Sequence, residues 1–398
     1  MTHDGIILTF NAGSSTIKIG IYEHLANALQ LQGRGFIDFR DQPLEFRLKK
    51  ETGELLKFPL SPVPAEDVTA ALEHVFACLA QQYPLEKMRC AGHRVVHGGD
   101  VFTGPVRIDS ASLARIEKLA SLAPLHQPQN VRLIHAVRTL HPTLLQTASF
   151  DTAFHTTLDP LARRFALPRA LHEQGIKRYG FHGLSFRHIA HTLAQFKLPP
   201  DARVVAAHLG SGASLCAMQN GISRDTSMGF STLDGIPMAT RPGALDPGVL
   251  LHLMGSMKKT HQEVETLLYR ESGLLGVSGL AADIRKLLQS DHPDAVEAVD
   301  LFCFRIAGEI ARLATTMGGM DTLVFTAGIG EHQPPVRAKV SERLTWLGLT
   351  LDAAANARNA TVINAPESRI QAFVIPADEE LIIANEALNL LHEEDFTD

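Results

Sequence analysis

Apolar positions in this chain follow two rhythms, and the switches between them mark out its elements. Residues 6–10 (Ile6-Ile7-Leu8-Thr9-Phe10) are almost continuously apolar, and Thr16-Ile17-Lys18-Ile19-Gly20-Ile21-Tyr22 is a second β-type run. The small residues between them, Asn11-Ala12-Gly13-Ser14-Ser15, predict a hairpin. The same grammar returns at 204–217, where two buried-strand runs flank Gly210-Ser211-Gly212. A third apolar run, Leu323-Val324-Phe325-Thr326, leads into the Gly-rich turn Ala327-Gly328-Ile329-Gly330-Glu331 and then a helix opened by Pro334 and Pro335. Short runs at 35–39, 44–48 and 55–60 predict strands extending the first sheet, before Ser61-Pro62-Val63-Pro64 breaks the chain.

The other rhythm is helical. Val68, Ala71, Leu72, Val75, Phe76 and Leu79 recur at three- and four-residue spacing, with Glu66 or Asp67 placed to complement the helix dipole. Ser110 is the expected cap of a helix carrying Leu113, Ile116 and Leu119. Pro128 falls in the first turn of the next helix, with Val131, Ile134, Val137 and Leu140 on one face. The longest stripe runs through Ala295, Val299, Phe302, Ile306, Ile310, Leu313 and Met317. Ser149–His155 reads as a short strand with an acid, Asp151, and near it the first lobe gives way to a second. After the turn Arg178-Tyr179-Gly180-Phe181-His182-Gly183, Ser185 is expected to open a helix. Residues 223–248 are dense in turn formers and predict a long loop without structure of its own, the kind that usually carries function.

Bulk composition narrows the function. The 398 residues suffice for two domains, and 45% hydrophobic with 20% charged residues is ordinary for a globular chain. A net charge of −6 argues against general nucleic-acid binding, so an anionic substrate must be met by local cations. No run approaches membrane-spanning length and no basic leader precedes residues 6–10. Cys78, Cys90, Cys216 and Cys303 have no metal or redox spacing, which fits buried thiols in a reducing cytoplasm.

The chemistry concentrates in the turns. A Gly/Ser hairpin tip offers backbone N–H groups and hydroxyls (Ser14, Ser15, Thr16) to a phosphate, with Lys18 as a point charge; a plain polar hairpin reads the same way. Arg94, in Gly92-His93-Arg94-Val95-Val96-His97-Gly98-Gly99, is either an anion clamp on a rigid strand or a surface arginine, and the pattern alone does not decide.

Taken in order, these motifs resemble the acetate kinase family over nearly the whole length. The resemblance rests on Phe10-Asn11-Ala12-Gly13-Ser14-Ser15, the Arg94 motif, Phe150-Asp151-Thr152-Ala153-Phe154-His155 and Tyr179-Gly180-Phe181-His182-Gly183. Asp225-Thr226-Ser227-Met228-Gly229-Phe230, Thr326-Ala327-Gly328-Ile329-Gly330-Glu331 and Asp378-Glu379-Glu380-Leu381 complete it. It implies an α/β, two-lobed actin-like fold of the ribonuclease H-like (ASKHA) type, with a nucleotide cleft between duplicated domains. The lobes would be 1–151 and 152–379, with a terminal helix, 380–398, packing back on the first. It implies reversible, Mg²⁺-dependent (or Mn²⁺-dependent) phosphoryl transfer from ATP to a short carboxylate such as acetate or propionate, giving acyl phosphate and ADP, by a cytoplasmic homodimer.

Residue by residue, the resemblance places Asp151, Arg241, His182 and Arg94 at the reacting centre, with Arg94 also on the substrate carboxylate. Val96, Leu125, Phe181 and Thr232 would line the acyl pocket, and Asn11 and Glu379 would hold the metal. Nucleotide would meet Ser14, Thr16, Lys18, the turn His208, Leu209, Gly210, Ser211 and Gly212, then Asp283, Ile284 and Arg285, and the turn Gly328, Ile329, Gly330, Glu331 and His332. A carboxylate is already ionised at neutral pH, so such chemistry needs cations and alignment more than a base. Asp151 is accordingly expected to hold water around the metal or orient Arg241.

The chain departs from the family pattern at Ser211 and His332, where Asn is usual, at Thr232, where Pro is common, and at Gln127, Gln129, Leu184 and Phe186. Those changes predict altered nucleotide use and a looser acyl pocket. The competing readings are a propionate- or butyrate-type or pyrophosphate-dependent kinase, a structural actin-like ATPase module, and a binding protein without turnover.

Overall fold

Strand β1 (Gly5–Ala12) is buried along its whole length because both of its faces are covered. In the computed structural model, which describes residues 5–13, 16–25, 28–41, 43–60, 67–199 and 201–394, alternate residues of β1 enter different cores. Ile6, Leu8 and Phe10 pack with Leu72, Val75, Phe76, Leu79, Leu133 and Val137. Ile7 packs on the opposite side with Tyr22, Cys90, Ala384, Ala387 and Leu388. The period of two along a strand produces this division.

The chain divides into two compact units, Met1–Phe154 with Asp378–Asp398, and His155–Ala377. In the first, β1 forms a hairpin with β2 (Thr16–Leu25), with Asn11 opposite Lys18. Strands β3 (Ala28–Asp38), β4 (Glu45–Lys50) and β5 (Leu55–Pro59) continue as an antiparallel meander. β6 (Met88–Val95) lies parallel to β1, and beyond β7 (Val106–Arg107) the strand β8 (Leu145–Phe150) lies parallel to β6. The sheet order is β5-β4-β3-β2-β1-β6-β8-β7. Helices α1 (Val68–Ala80) and α3 (Gln127–Leu140) supply one core, with α2 (Ser110–Lys118) beside α3. The C-terminal helix, Glu379–Glu394, covers the other face of β1, β6 and β8.

The second unit has strands β9 (Arg203–Leu209), β10 (Ala213–Gln219), β11 (Ile222–Thr226), β12 (Thr322–Thr326) and β13 (Gln371–Val374), in the order β11-β10-β9-β12-β13. β9, β10 and β11 are antiparallel neighbours, whereas β12 runs parallel to β9 and β13 parallel to β12. The five strands β3-β2-β1-β6-β8 of the first unit have the same order and the same senses. Each unit is thus one copy of a single topology, the first widened by β4, β5 and β7.

Helices α4 (Pro160–Arg163), α5 (Arg169–Glu173) and α6 (Gly183–Leu193) precede the second sheet. Within it come α7 (Pro247–Gly255), α8 (His261–Arg270), α9 (Gly273–Ser278), α10 (Ile284–Leu288) and α11 (Pro293–Thr316). Then follow α12 (Ala327–His332), α13 (Pro334–Glu342) and α14 (Ala353–Ala357). The stripe on α11 is the one its spacing predicts, and it packs on α9, β9, β10 and β11.

Several local expectations are corrected. Asp109, not Ser110, caps α2, accepting from the Ser112 amide and giving a capping box. β3 begins well before residue 35, and β8 ends at Phe150, so 153–157 form a 3₁₀ turn instead of strand. α6 starts at Gly183, ahead of Ser185, with His182 as a left-handed cap at φ 57°. The loop expected at 223–248 contains β11 at its start, and α7 opens at Pro247. The third Gly-rich turn is itself helical, as α12. Ser61–Pro64 and Glu66 lie outside the described residues, and Asp67 caps α1 through the Ala70 amide.

Candidate active site

In the first unit the open ends of β1, β6 and β8 bring Asn11, Arg94 and Asp151 together. Arg94 donates to Asp151 through Nε (3.0 Å) and Nη2 (2.6 Å), and through Nη1 to Asn11 Oδ1 (3.0 Å). Asn11 in turn donates from Nδ2 to Glu379 Oε2 and Glu380 Oε1, both at 2.8 Å. Arg34, on β3, pairs with Asp378 and Glu380. Four carboxylates (Asp151, Asp378, Glu379, Glu380) therefore meet two guanidiniums (Arg34, Arg94), an excess of two negative charges. Burial works against the charge on Arg94, but Asp151 and then Glu379 more than offset it, so its pKa is raised. Arg94 is thus no ordinary surface arginine.

The three bonds of Arg94 leave one N–H on each terminal nitrogen for another acceptor. Lys18 is exposed and Thr16 half-buried at the hairpin mouth, and Ser14 lies outside the described residues. Val96 is buried and Leu125 half-buried. The strand end beneath them is held by two buried polar residues of α3. Gln127 accepts from the His97 amide (3.1 Å) and donates to its carbonyl (3.0 Å), while Asn130 accepts from the Val96 amide (3.1 Å). Their signal in the sequence is a polar i, i+3 pair on an otherwise apolar helix face.

The second unit gathers a different set around the β9–β10 turn. His182 and His208 stack with centroids 4.3 Å apart. Each ring is fixed through Nδ1 by a serine, Ser214 for His182 and Ser185 for His208, both at 2.8 Å. By sequence Ser185 is only the expected start of a helix, and Ser214 carries no expectation of its own. Gly212 leaves room for the guanidinium here: a Cβ would lie 2.8 Å from Arg241 Nη2 and 3.5 Å from His182 Nε2, so a side chain would push Arg241 aside. The Arg241 guanidinium donates to the Thr232 carbonyl (2.8 Å) and has no carboxylate partner among the described residues. Burial lowers its pKa to about 10, with Tyr269 acting in the opposite direction.

Phe181 is buried, and its carbonyl faces His155 Nε2 at 2.9 Å. Leu209 is buried, Gly210 half-buried and Ser211 exposed at the tip. Asp283 caps α10 and binds Arg285, whose side chain is largely exposed; that bond lowers the Asp283 pKa. Ile284 is buried behind them. In α12, Gly328 faces open space, Glu331 Oε1 accepts from the Ala377 amide (3.0 Å), and His332 is exposed. The structure therefore gathers Asn11, Arg94, Asp151 and Glu379 in one unit, and His182, His208, Gly210, Gly212, Thr232 and Arg241 in the other.

Residues 6–385 match the model of the acetokinase family. The chain belongs to the acetokinase family. It is 47% identical to an acetate kinase of Rhodopseudomonas palustris, over 97% of this chain and 98% of that one. Among solved structures it is similar to a propionate kinase from Francisella tularensis, with TM-score 0.89 and 33% identity over 97% of this chain and 99% of the other. The acetate kinase of Porphyromonas gingivalis is similar too, with TM-score 0.87 and 32% identity, over 97% of this chain and 100% of the other. As an acetokinase the chain has the two-lobed actin-like fold, and it is a phosphotransferase that phosphorylates a carboxyl group from ATP. The readings as a structural ATPase module or a binding protein without turnover fall away.

Proposed function

We propose that the protein transfers the γ-phosphoryl group of ATP reversibly to acetate, accepts propionate comparably and butyrate less well, and requires Mg²⁺. The observation that carries this reading is the pair of differently prepared arginines. Arg94 is oriented by Asp151 and keeps two N–H groups for a substrate carboxylate. Arg241 is a half-buried cation with no carboxylate partner among the described residues, held by one carbonyl and suited to charge that arrives with the phosphoryl group and grows on its oxygens. Asp151 is engaged side-on by Arg94, so its role is to aim that guanidinium rather than to take a proton or orient Arg241.

His182 would donate to the moving phosphoryl oxygens, with Ser214 fixing its ring. The turns 208–212 and 328–332, with Asp283–Arg285, Thr16, Lys18 and Ser14, would hold the nucleotide. Val96, Leu125, Phe181 and Thr232 would meet the alkyl group. The donor set around Asn11 and Glu379 fits Mg²⁺: oxygen ligands, one or two carboxylates, and a local excess of two negative charges. Among the described residues no cluster of three His, Cys, Asp or Glu forms a ready cage, which accords with an ion that keeps waters and phosphates as ligands. When bound it would neutralise charge on the phosphates.

Two further parts of the reading concern the whole protein. Helix α7 is apolar yet buries none of its residues, with Val249 40%, Leu251 74% and Met254 46% exposed. Together with Leu245 before it and Met257 after it, it offers roughly 500 Å² of apolar surface, over half of the ~800 Å² per partner of a standard interface. A second copy packed on α7 accounts for that surface as a homodimer. Four cysteines held as thiols fit action in the cytoplasm. Among the described residues no helix is long and apolar enough to cross a membrane.

The test is a hydroxylamine trap for acyl phosphate, with ATP, GTP and pyrophosphate against formate, acetate, propionate and butyrate. Product is expected with ATP, acetate and propionate; folded protein that yields none with any donor and acid contradicts the proposal.

A further inference from the structure

Among the described residues Arg337, on α13, is the largest side chain that is wholly buried, and it has no carboxylate partner among them. All five of its N–H groups instead reach neutral oxygens. Nη1 donates to the carbonyls of Gly330 (2.7 Å) and Glu331 (3.0 Å). Nε donates to Asn356 Oδ1 (2.7 Å), and Nη2 to the Asn356 carbonyl (2.8 Å) and Asn359 Oδ1 (2.7 Å). Asn356 closes the ring by donating from Nδ2 to the Pro334 carbonyl (3.0 Å). A buried guanidinium placed among dipoles alone is expensive, so the groups it organises are the place to look for its use.

Those groups are the end of α12. The last carbonyls of a helix have no partner within it, and in α12 the Ile329 carbonyl is taken by the Gln333 amide while Gly330 and Glu331 depend on Arg337. α12 has little stability of its own: it is six residues long, contains two glycines and begins at Ala327 with φ 63°. Its placement must come from outside: besides the grip of Arg337, Glu331 accepts from the Ala377 amide. A lysine could not replace this grip, since one ammonium offers three donors at a single point and not five across a plane.

We infer that Arg337 is the positioning residue of the nucleotide turn, fixing residues 328–332 against α14 so that they are presented to ATP or ADP in one place. This rests on the proposed reading of that turn as a nucleotide contact. Arg337 touches neither substrate; it acts through α12.

The experiment measures ADP dissociation constants by calorimetry, and KM for acetate and ATP, in Arg337→Met, Arg337→Lys, Asn359→Gly and Gly328→Val. Asn359 sits at φ 53°, so glycine keeps its backbone and deletes one acceptor. Gly328→Val adds a side chain where a Cβ meets nothing within 4 Å, so it tests the turn without disturbing the fold. Displacing α12 should weaken ADP binding on the order of ten- to a hundredfold in Arg337→Met. Arg337→Lys should recover part of that, Asn359→Gly should lose less, and the acetate KM should stay put. If Gly328→Val leaves ADP binding unchanged, the nucleotide reading of the turn fails and the inference with it. If Gly328→Val weakens ADP while folded Arg337→Lys and Asn359→Gly bind it like wild type, the positioning role alone is overturned, as it is if acetate KM rises in parallel. Should Arg337→Met not fold, the lysine and Asn359 variants decide.

Discussion

Arg94 and Arg241 are the two guanidiniums proposed for the reaction, but their surroundings give different stability consequences. Removing Arg94 takes its ion-pair partner from Asp151, which is 1% exposed; breaking a buried pair costs about 3–5 kcal/mol. Arg94→Ala should therefore melt lower, raise the carboxylate KM and lower kcat. Removing Arg241 deletes a half-buried cation that has no carboxylate partner among the described residues, so Arg241→Ala should melt close to wild type while kcat falls on the order of 10³-fold. Thermal melts and steady-state kinetics on both variants check this; a destabilised Arg241→Ala with near-normal kcat would contradict it. The buried histidines supply a pH signature. Burial pushes His93, His97 and His155 down to about 4. Unfolded, each titrates near ~6.5. Below that pH the unfolded chain takes up protons that the folded chain refuses, so stability is complete above ~7 and falls between ~6.5 and ~4, by up to ~1.4 kcal/mol per histidine per pH unit. The melting temperature should drop from pH 7 to pH 5, and His155→Gln should reduce the slope; a flat profile would count against these neutral rings.

At the scale of elements, the legible parts were those where one rhythm runs long enough. The stripe on α11 and the two hairpins at 5–25 and 203–219 follow directly from it, because burial on a fixed face leaves a periodic trace. Where a segment is held by hydrogen bonds instead of apolar packing, the trace is absent. β11 reads as loop because its buried positions include Ser223, Asp225 and Thr226, and Arg312 and Thr316 secure Asp225 from outside. α12 reads as turn because its glycines speak against helix and its anchor, Arg337, comes from the next element. Motif brought Arg94, Asp151 and Arg241 into the reading, but their surroundings were not legible: that Asp151 binds Arg94 depends on which strand ends meet, and that Arg241 has no carboxylate partner among the described residues depends on the folding of a loop. Thr232, proposed for the acyl pocket, lends its carbonyl, not its side chain, to Arg241, and proline would keep that carbonyl.

At the scale of the whole molecule, two copies of one topology divide the labour by charge. The first unit holds a net anionic cluster of four carboxylates and two guanidiniums; the second holds a cation with no carboxylate partner among the described residues, and two stacked imidazoles. The same scale governs association. Leu251→Asp on α7 places a charge in the middle of an exposed apolar helix, and it should convert a dimer into a monomer with little change in melting temperature of the dilute protein. Light scattering after gel filtration measures this; wild type that stays monomeric at tens of micromolar would remove the dimer, and a Leu251→Asp dimer would move the interface elsewhere.

The C-terminal helix covers a face of β1, the first strand of the chain, and brings Glu379 and Glu380 to Asn11. During synthesis this sets a waiting period. Ile7, Tyr22 and Cys90 emerge well before their covering residues Ala384, Ala387 and Leu388. At ~5–20 residues per second that interval is tens of seconds, during which the continuous second unit can finish first. The nascent first unit must spend it with an apolar sheet face open to chaperones, and its charge cluster closes only once residues 378–380 have been made. A fusion that delays release of residues 378–394 should lower the soluble yield more than the same fusion at the N-terminus.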